Sequence, residues 1–191
     1  MLKPLALGCA LVLSGCATSI PPVEVTRFHL GLPIERSTVA IESVPGADSL
    51  ELQTYNNAVR GELGKLGYPD ADLSSAFYVA TVRVMRDTRE ALAQKSPVSI
   101  GVGGGTGGYG GGGVGLGLGF SFGGKKRDIV VTQLSVQIKR RVGGDAVWEG
   151  RAQTEAKENA PAAQPGIAAG KLAAALFKDF PGESGRTINV P

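Results

Sequence analysis

The sequence is poor in the residues that do chemistry. Its 191 positions hold one histidine, His29, one tryptophan and two cysteines, Cys9 and Cys16. A lone histidine and two cysteines seven positions apart do not supply the ligand spacing of a zinc site. There is no His-Glu-x-x-His and no Gly-x-Ser-x-Gly. No catalytic residue, cofactor-binding residue or metal ligand is assigned on this basis, no cofactor is expected, and the chain is expected not to be an enzyme. His29 falls in a strand-like stretch and is expected to be a partly exposed sheet residue rather than a base. Charge of one sign is also lacking: 20 Lys and Arg stand against 17 Asp and Glu, a formal +3. So weak a balance does not imply nucleic acid.

What is present begins at the N-terminus. Lys3 precedes the apolar run Leu5–Leu13, the layout of an export signal. The run is too short for a stable membrane span, which needs roughly 20 apolar residues. Leu13-Ser14-Gly15-Cys16 follows, and this resembles the lipobox of bacterial lipoproteins: an aliphatic residue, a small one, glycine, then cysteine. Residues 1–15 are therefore expected to be a lipoprotein signal peptide, and Cys16 the lipidated first residue of the mature chain. Removing Lys3 and Cys9 with that segment leaves 19 basic against 17 acidic residues and a single, alkylated cysteine. No internal disulfide or catalytic thiol would remain. Ala17 rather than Asp follows the cysteine. By resemblance to Gram-negative lipoproteins, that favours the outer membrane, with the domain on its periplasmic face. Several acyl chains, palmitate among them, would hold it firmly where one chain alone would not.

Residues 16–22 read as a tether and 23–190 as one domain, a size that supports a single core. Val23–Leu30 reads as a strand with one phase change, and Val39 and Ile41 alternate in a second. Asp48–Leu66 is the clearest helix. Asp48 and Glu51 have capping-box spacing, Leu52, Tyr55, Val59, Leu63 and Leu66 form one apolar stripe, and Gly67 with Pro69 ends it. Phe77–Arg86 alternates, with Tyr78, Ala80, Val82 and Val84 on one face. Asp128–Val142 is the longest strand, with Val130, Leu134, Val136 and Ile138 opposite Gln133, Ser135, Gln137 and Lys139. Gly143-Gly144-Asp145 is a tight turn, and Ala146–Ala152 returns with Trp148 and Ala152 inward. Gly166–Asp179 is a second helix, burying Ala169, Leu172, Leu176 and Phe180, and Thr187–Val190 is a short last strand. Alternating strands imply one wet and one covered face. The expected fold is thus α+β: a two-layer sandwich whose mostly antiparallel sheet is covered by two helices.

A glycine-rich insertion, 98–124, interrupts the strands. Residues 101–124 hold 15 of the 29 glycines. Both arms alternate, through Val98, Ile100 and Val102 and through Val114, Leu116, Leu118, Phe120 and Phe122. Three readings stand: a surface loop or weak hairpin, a segment packed closely on another backbone in a sheet edge or an oligomer, and a membrane-touching hairpin. The last approaches the roughly 9–11 residues of a spanning strand, but a lone hairpin leaves open edges. The hits Gly103, Gly105, Gly108 and Gly119, Gly124, Lys125 fail as nucleotide motifs. No helix follows the first, and Lys126 stands where the second needs Ser or Thr.

Lys125-Lys126-Arg127 and Lys139-Arg140-Arg141 bracket the long strand, roughly 40 Å apart. They read as a solvated rim, or alternatively as contacts to anionic headgroups and lipid-A phosphates. Glu149, Glu155 and Glu158 are close in sequence but fall on an exposed face and a loop.

Together, the lipobox, "AVRGELGKLGY", "AFYVATVRV", the glycine tract, "AVWEGRAQTEAK" and "LAAALFKDFPG" resemble the lipoproteins of domain-of-unknown-function family 4136, over about residues 23–182. The resemblance implies a lipid-anchored envelope domain without assigned catalysis. It carries over no functional residue except Cys16. The expected function is a non-enzymatic binding or assembly role at the cell envelope, with the membrane as partner through Cys16 and anionic lipid or envelope proteins as further contacts. The alternatives are an oligomeric membrane-active protein using the glycine-rich hairpin, and an envelope hydrolase with carboxylates assembled in space. The oligomeric state is not readable from the sequence.

Overall fold

The computed structural model describes residues 21–42, 49–89 and 128–191. The export segment, Cys16, the glycine-rich insertion, Asp48 and Lys125-Lys126-Arg127 lie outside the described residues. The elements run β1 (Val23–His29), β2 (Val39–Glu42), α1 (Leu50–Lys65), β3 (Tyr78–Arg89), β4 (Ile129–Arg140), β5 (Ala146–Lys157), a 3-10 turn (Pro161–Ala163), α2 (Pro165–Phe177) and β6 (Thr187–Val190). The fold is α+β, as expected.

One six-stranded sheet has the order β2-β3-β4-β5-β1-β6. Only β2 and β3 pair in parallel; the other neighbours are antiparallel. A parallel pair needs a crossover, and α1 supplies it between β2 and β3. Both edge strands are four residues long, which leaves little backbone edge open to further pairing. The β4–β5 hairpin closes through Gly143 and Gly144, both at positive φ, with the Arg140 N–H donating to Asp145 O at 2.9 Å. These are conformations that glycine adopts without steric cost.

Helix α1 starts one residue later than its sequence suggests. Ser49, not Asp48, is the N-cap: its extended backbone lets Oγ accept from the Leu52 N–H at 3.0 Å. The stripe is otherwise as read, with Leu52, Tyr55, Val59 and Leu63 buried. Both helices pack on one face of the sheet and on each other. The core between the layers holds Val25, Ala80, Val82, Leu134, Val136, Ile138, Trp148, Ala152, Leu172 and Leu176. Val130, read as part of that stripe, packs instead in a small separate cluster with Ala156 and Ala163.

The phase change read into β1 does not occur. The strand keeps period two throughout: Val23, Val25 and Arg27 face the helices, and Phe28 faces out, 48% exposed. Arg27 is only 3% exposed because the C-terminus of α2 needs its donors. Its Nε donates to Leu176 O at 2.9 Å, and its Nη2 donates to Ala175 O at 3.0 Å and Lys178 O at 2.9 Å. The last carbonyls of a helix lack intrahelical partners, and a cation there also complements the helix dipole. Burial pushes the guanidinium pKa below its ordinary value, and Asp179 opposes that shift. Gly182, at positive φ, makes the room: a Cβ there would lie 2.6 Å from Arg27 Nη1.

Beside it, the Trp148 indole stacks on Phe177 at 5.3 Å and meets Phe180 at 5.2 Å, and its Nε1–H donates to Pro181 O at 3.0 Å. The ring lies over Gly150, where a Cβ would be 2.4 Å from Cη2. The strand phase that points Trp148 and Ala152 inward is as expected.

Candidate functional site

With the helices on one face, the other face of the sheet carries no helix among the described residues. Strand alternation and register determine what it displays. The pairing aligns Arg83 on β3 with Ser135 on β4, Ser135 with Arg151 on β5, and Arg151 with Thr26 on β1. The next row toward the β4–β5 turn holds Thr81, Gln137, Glu149 and Phe28; the row on the other side holds Met85, Gln133, Gln153 and Glu24. A groove runs over these residues, lined by Arg83, Ser135, Arg151, Gln133, Gln137 and Phe28 among others.

The charges on this face are not equally satisfied. Lys139 Nζ lies 3.1 Å from Glu42 Oε2, which also accepts from Thr81 Oγ1 at 3.2 Å. Glu149 Oε1 accepts from Gln137 Nε2 at 2.5 Å. Ser135 Oγ accepts from Gln133 Nε2 at 3.1 Å, which leaves its own hydroxyl hydrogen free to donate. Arg83 and Arg151, both exposed, have no carboxylate within 4.0 Å and no hydrogen-bond acceptor among the described residues. Two unpaired guanidinium groups thus flank a hydroxyl donor. Their Cα atoms are two strand spacings apart, about 10 Å.

The residues singled out in the sequence fall elsewhere. Cys16 lies outside the described residues. His29 is partly buried at the end of β1, as expected. Its Nδ1 accepts from the Gly31 N–H at 3.0 Å, and its Nε2 lies 3.0 Å from Gly182 O, which fits a proton on Nε2. Ser184 and His29 exchange hydrogen bonds alongside, at 3.0 Å and 2.9 Å. This histidine ties β1 to the 182–185 turn. Glu155 reaches Arg89 at 3.9 Å, while Glu149 is held by Gln137 and Glu158 is exposed. Those three acids are not gathered into one site. Among the described residues no group of three or more His, Cys, Asp or Glu could hold a metal ion. Of the second basic run, Lys139 is paired with Glu42, Arg141 Nε donates to Ala76 O at 2.7 Å, and Arg140 is exposed. The Arg83–Arg151 pair was missed because it is made by register between strands 68 residues apart in sequence numbering, which alternation alone does not give. The outward phase of both residues was the available signal.

No helix among the described residues is long and apolar enough to cross a membrane. What the geometry defines is a two-layer α+β domain with one helix-covered face and one polar sheet face that carries no helix among the described residues. The chain belongs to the DUF4136 family, a domain of unknown function, whose family model matches residues 34–182. It is similar to the uncharacterized protein ZMO1243 of Zymomonas mobilis, 52% identical over 61 residues; that match spans 32% of this chain and 23% of the relative. Among solved structures it is similar to a PelC dodecamer from Paraburkholderia phytofirmans, at 11% identity and a TM-score of 0.46 over 85% of this chain and 99% of that one. It is also similar to a PDZ domain protein from Parabacteroides distasonis, at 12% identity and a TM-score of 0.49 over 89% of this chain and 39% of that one. Likeness at that level carries no argument about function.

Proposed function

We propose that this protein is a lipid-anchored lipoprotein of the cell envelope with a non-enzymatic binding or assembly role. The observation that carries the reading is Leu13-Ser14-Gly15-Cys16 at the end of a short apolar run, seven residues before β1 begins at Val23. A thioether-linked lipid on Cys16 would hold the domain close to the membrane, on the periplasmic side of the outer membrane. The register supports a particular orientation. Glu24 at the start of β1 is level with Gln153, Gln133 and Met85, so the chain enters β1 at the end of the sheet where β3 finishes at Arg89 and β4 begins at Ile129. Val23, Arg89 and Ile129, the described residues next along the chain from the proposed anchor and from the glycine-rich insertion, therefore share one end of the domain. The loops 30–38, 71–77 and 141–145 lie at the other.

Binding rather than catalysis fits the inventory. The sheet face offers donors, amides and two cations without a partner among the described residues, and the one histidine is committed to the turn at 182–185. The test is metabolic labelling of cells with a palmitate analogue. The unaltered protein is expected to take up label and fractionate with the outer membrane; Cys16→Ala is expected to lose both label and membrane association. Label retained on Cys16→Ala would overturn the reading.

A further inference from the structure

We infer that the row Arg83–Ser135–Arg151 is a binding site for a phosphate group, in the class of phosphate monoesters. The inference gives a ligand to the binding role proposed above, and rests on that role but not on the lipid anchor.

Three features of the bare face carry it. Two guanidinium groups stand in register on β3 and β5 with one strand between them, and neither has an acidic partner among the described residues. Nearby acids do not supply one: Glu42 is taken by Lys139 and Thr81, Glu149 by Gln137, and Glu24 in the adjoining row forms no ion pair with either arginine within 4.0 Å. An anion seated between two like charges is attracted by both. Ser135 lies on the strand between them with its oxygen occupied by Gln133, and its hydroxyl hydrogen remains to be donated. The donors therefore stand level with one another on three adjacent strands.

The geometry selects among anions. Two arginines approaching from opposite sides, with a hydroxyl between them, call for an acceptor that presents oxygens in several directions. A tetrahedral phosphate monoester does so; a planar carboxylate presents two oxygens in one plane. Each guanidinium can give paired N–H donors to two phosphate oxygens. Phe28 and Met85 are exposed on the same face, in the rows on either side. They offer apolar contact to whatever carries the phosphate.

The chemistry is shared by a lipid headgroup and a free phosphorylated molecule, and the test separates them. The purified full chain is titrated with inorganic phosphate against chloride at matched ionic strength, with the thermal midpoint and the Ser135 amide resonance as readouts. The unaltered protein is expected to show saturable, phosphate-specific shifts at Ser135. Arg83→Gln with Arg151→Gln together is expected to weaken phosphate affinity about tenfold or more, since each lost charge-assisted pair is worth about that factor. Arg83→Lys with Arg151→Lys keeps the charge without the fork, and its affinity is expected to fall between the two. The remote Arg186→Gln is expected to bind as the parent does. The titration is then repeated in phosphatidylcholine vesicles containing phosphatidic acid, a monoester, or phosphatidylglycerol, a diester, at equal surface charge. Loss of apparent phosphate affinity only with phosphatidic acid identifies a headgroup as the source, and equal affinity in both identifies a soluble ligand. Either result supports the site. Phosphate shifts that match chloride, or that persist unchanged in the double glutamine variant, would overturn it. Such an outcome leaves the lipoprotein reading standing, because palmitate labelling decides that separately.

Discussion

The two faces of the sheet treat the same side chain in opposite ways. On the covered face, Arg27 is 3% exposed and gives its donors to three carbonyls at the end of α2. On the bare face, Arg83 and Arg151 are exposed and give theirs to no group among the described residues. A buried cation without partners costs several kcal/mol, so the covered face has to give Arg27 acceptors, and Nε and Nη2 find them. Water satisfies an exposed arginine at little cost, so nothing about folding requires Arg83 and Arg151 to be where they are. Completed accounting marks a structural group, and donors left open in register mark a surface available for binding.

Packing on the covered face gives the largest expected effects. Trp148→Ala removes the indole from its stack with Phe177 and Phe180 and deletes the bond to Pro181 O. It is expected to destabilise the domain by about 3–5 kcal/mol, measured as a fall in denaturant midpoint. An unchanged midpoint would mean that the indole is not the centre of this layer. Gly150→Ala comes next, at about 3 kcal/mol, the upper end of the range for overpacking, because its Cβ would meet Trp148 Cη2 at 2.4 Å and Leu176 Cδ1 at 2.8 Å. The two effects are coupled. In a Trp148→Ala background, Gly150→Ala is expected to cost much less than it does alone, and additive costs would contradict the overlap.

Much of this architecture was legible in the sequence, for a physical reason. Alternation is a local property, so β4, read as 128–142, is found at Ile129–Arg140, and the inward phase of Trp148 and Ala152 holds. The glycines at 143 and 144 and the apolar stripe of α1 are local in the same sense. What was not legible depends on partners distant in sequence. The inward place of Arg27 is set by acceptors about 150 residues away, at the end of α2. The parallel pairing of β2 with β3, and the order that places β1 between β5 and β6, join strands distant in sequence and are not properties of any one segment. The Arg83–Ser135–Arg151 row needs two registers at once. Serine and aspartate are both good N-caps, so Asp48 and Ser49 were separated only by the backbone conformation of Ser49.

The measurement that tests the contrast between the faces most directly is one deletion made twice. Arg27→Met and Arg151→Met each replace a guanidinium with an apolar side chain, on opposite faces, and equilibrium unfolding reads both. Arg27→Met is expected to cost about 1.5–3 kcal/mol, because charge-assisted bonds to the α2 carbonyls are lost and those carbonyls are left buried. Arg151→Met is expected to stay within about 0.5 kcal/mol of the parent, as for a surface residue outside the packed structure. Equal losses in the two variants, or a larger loss for Arg151→Met, would contradict the division into a structural face and a binding face.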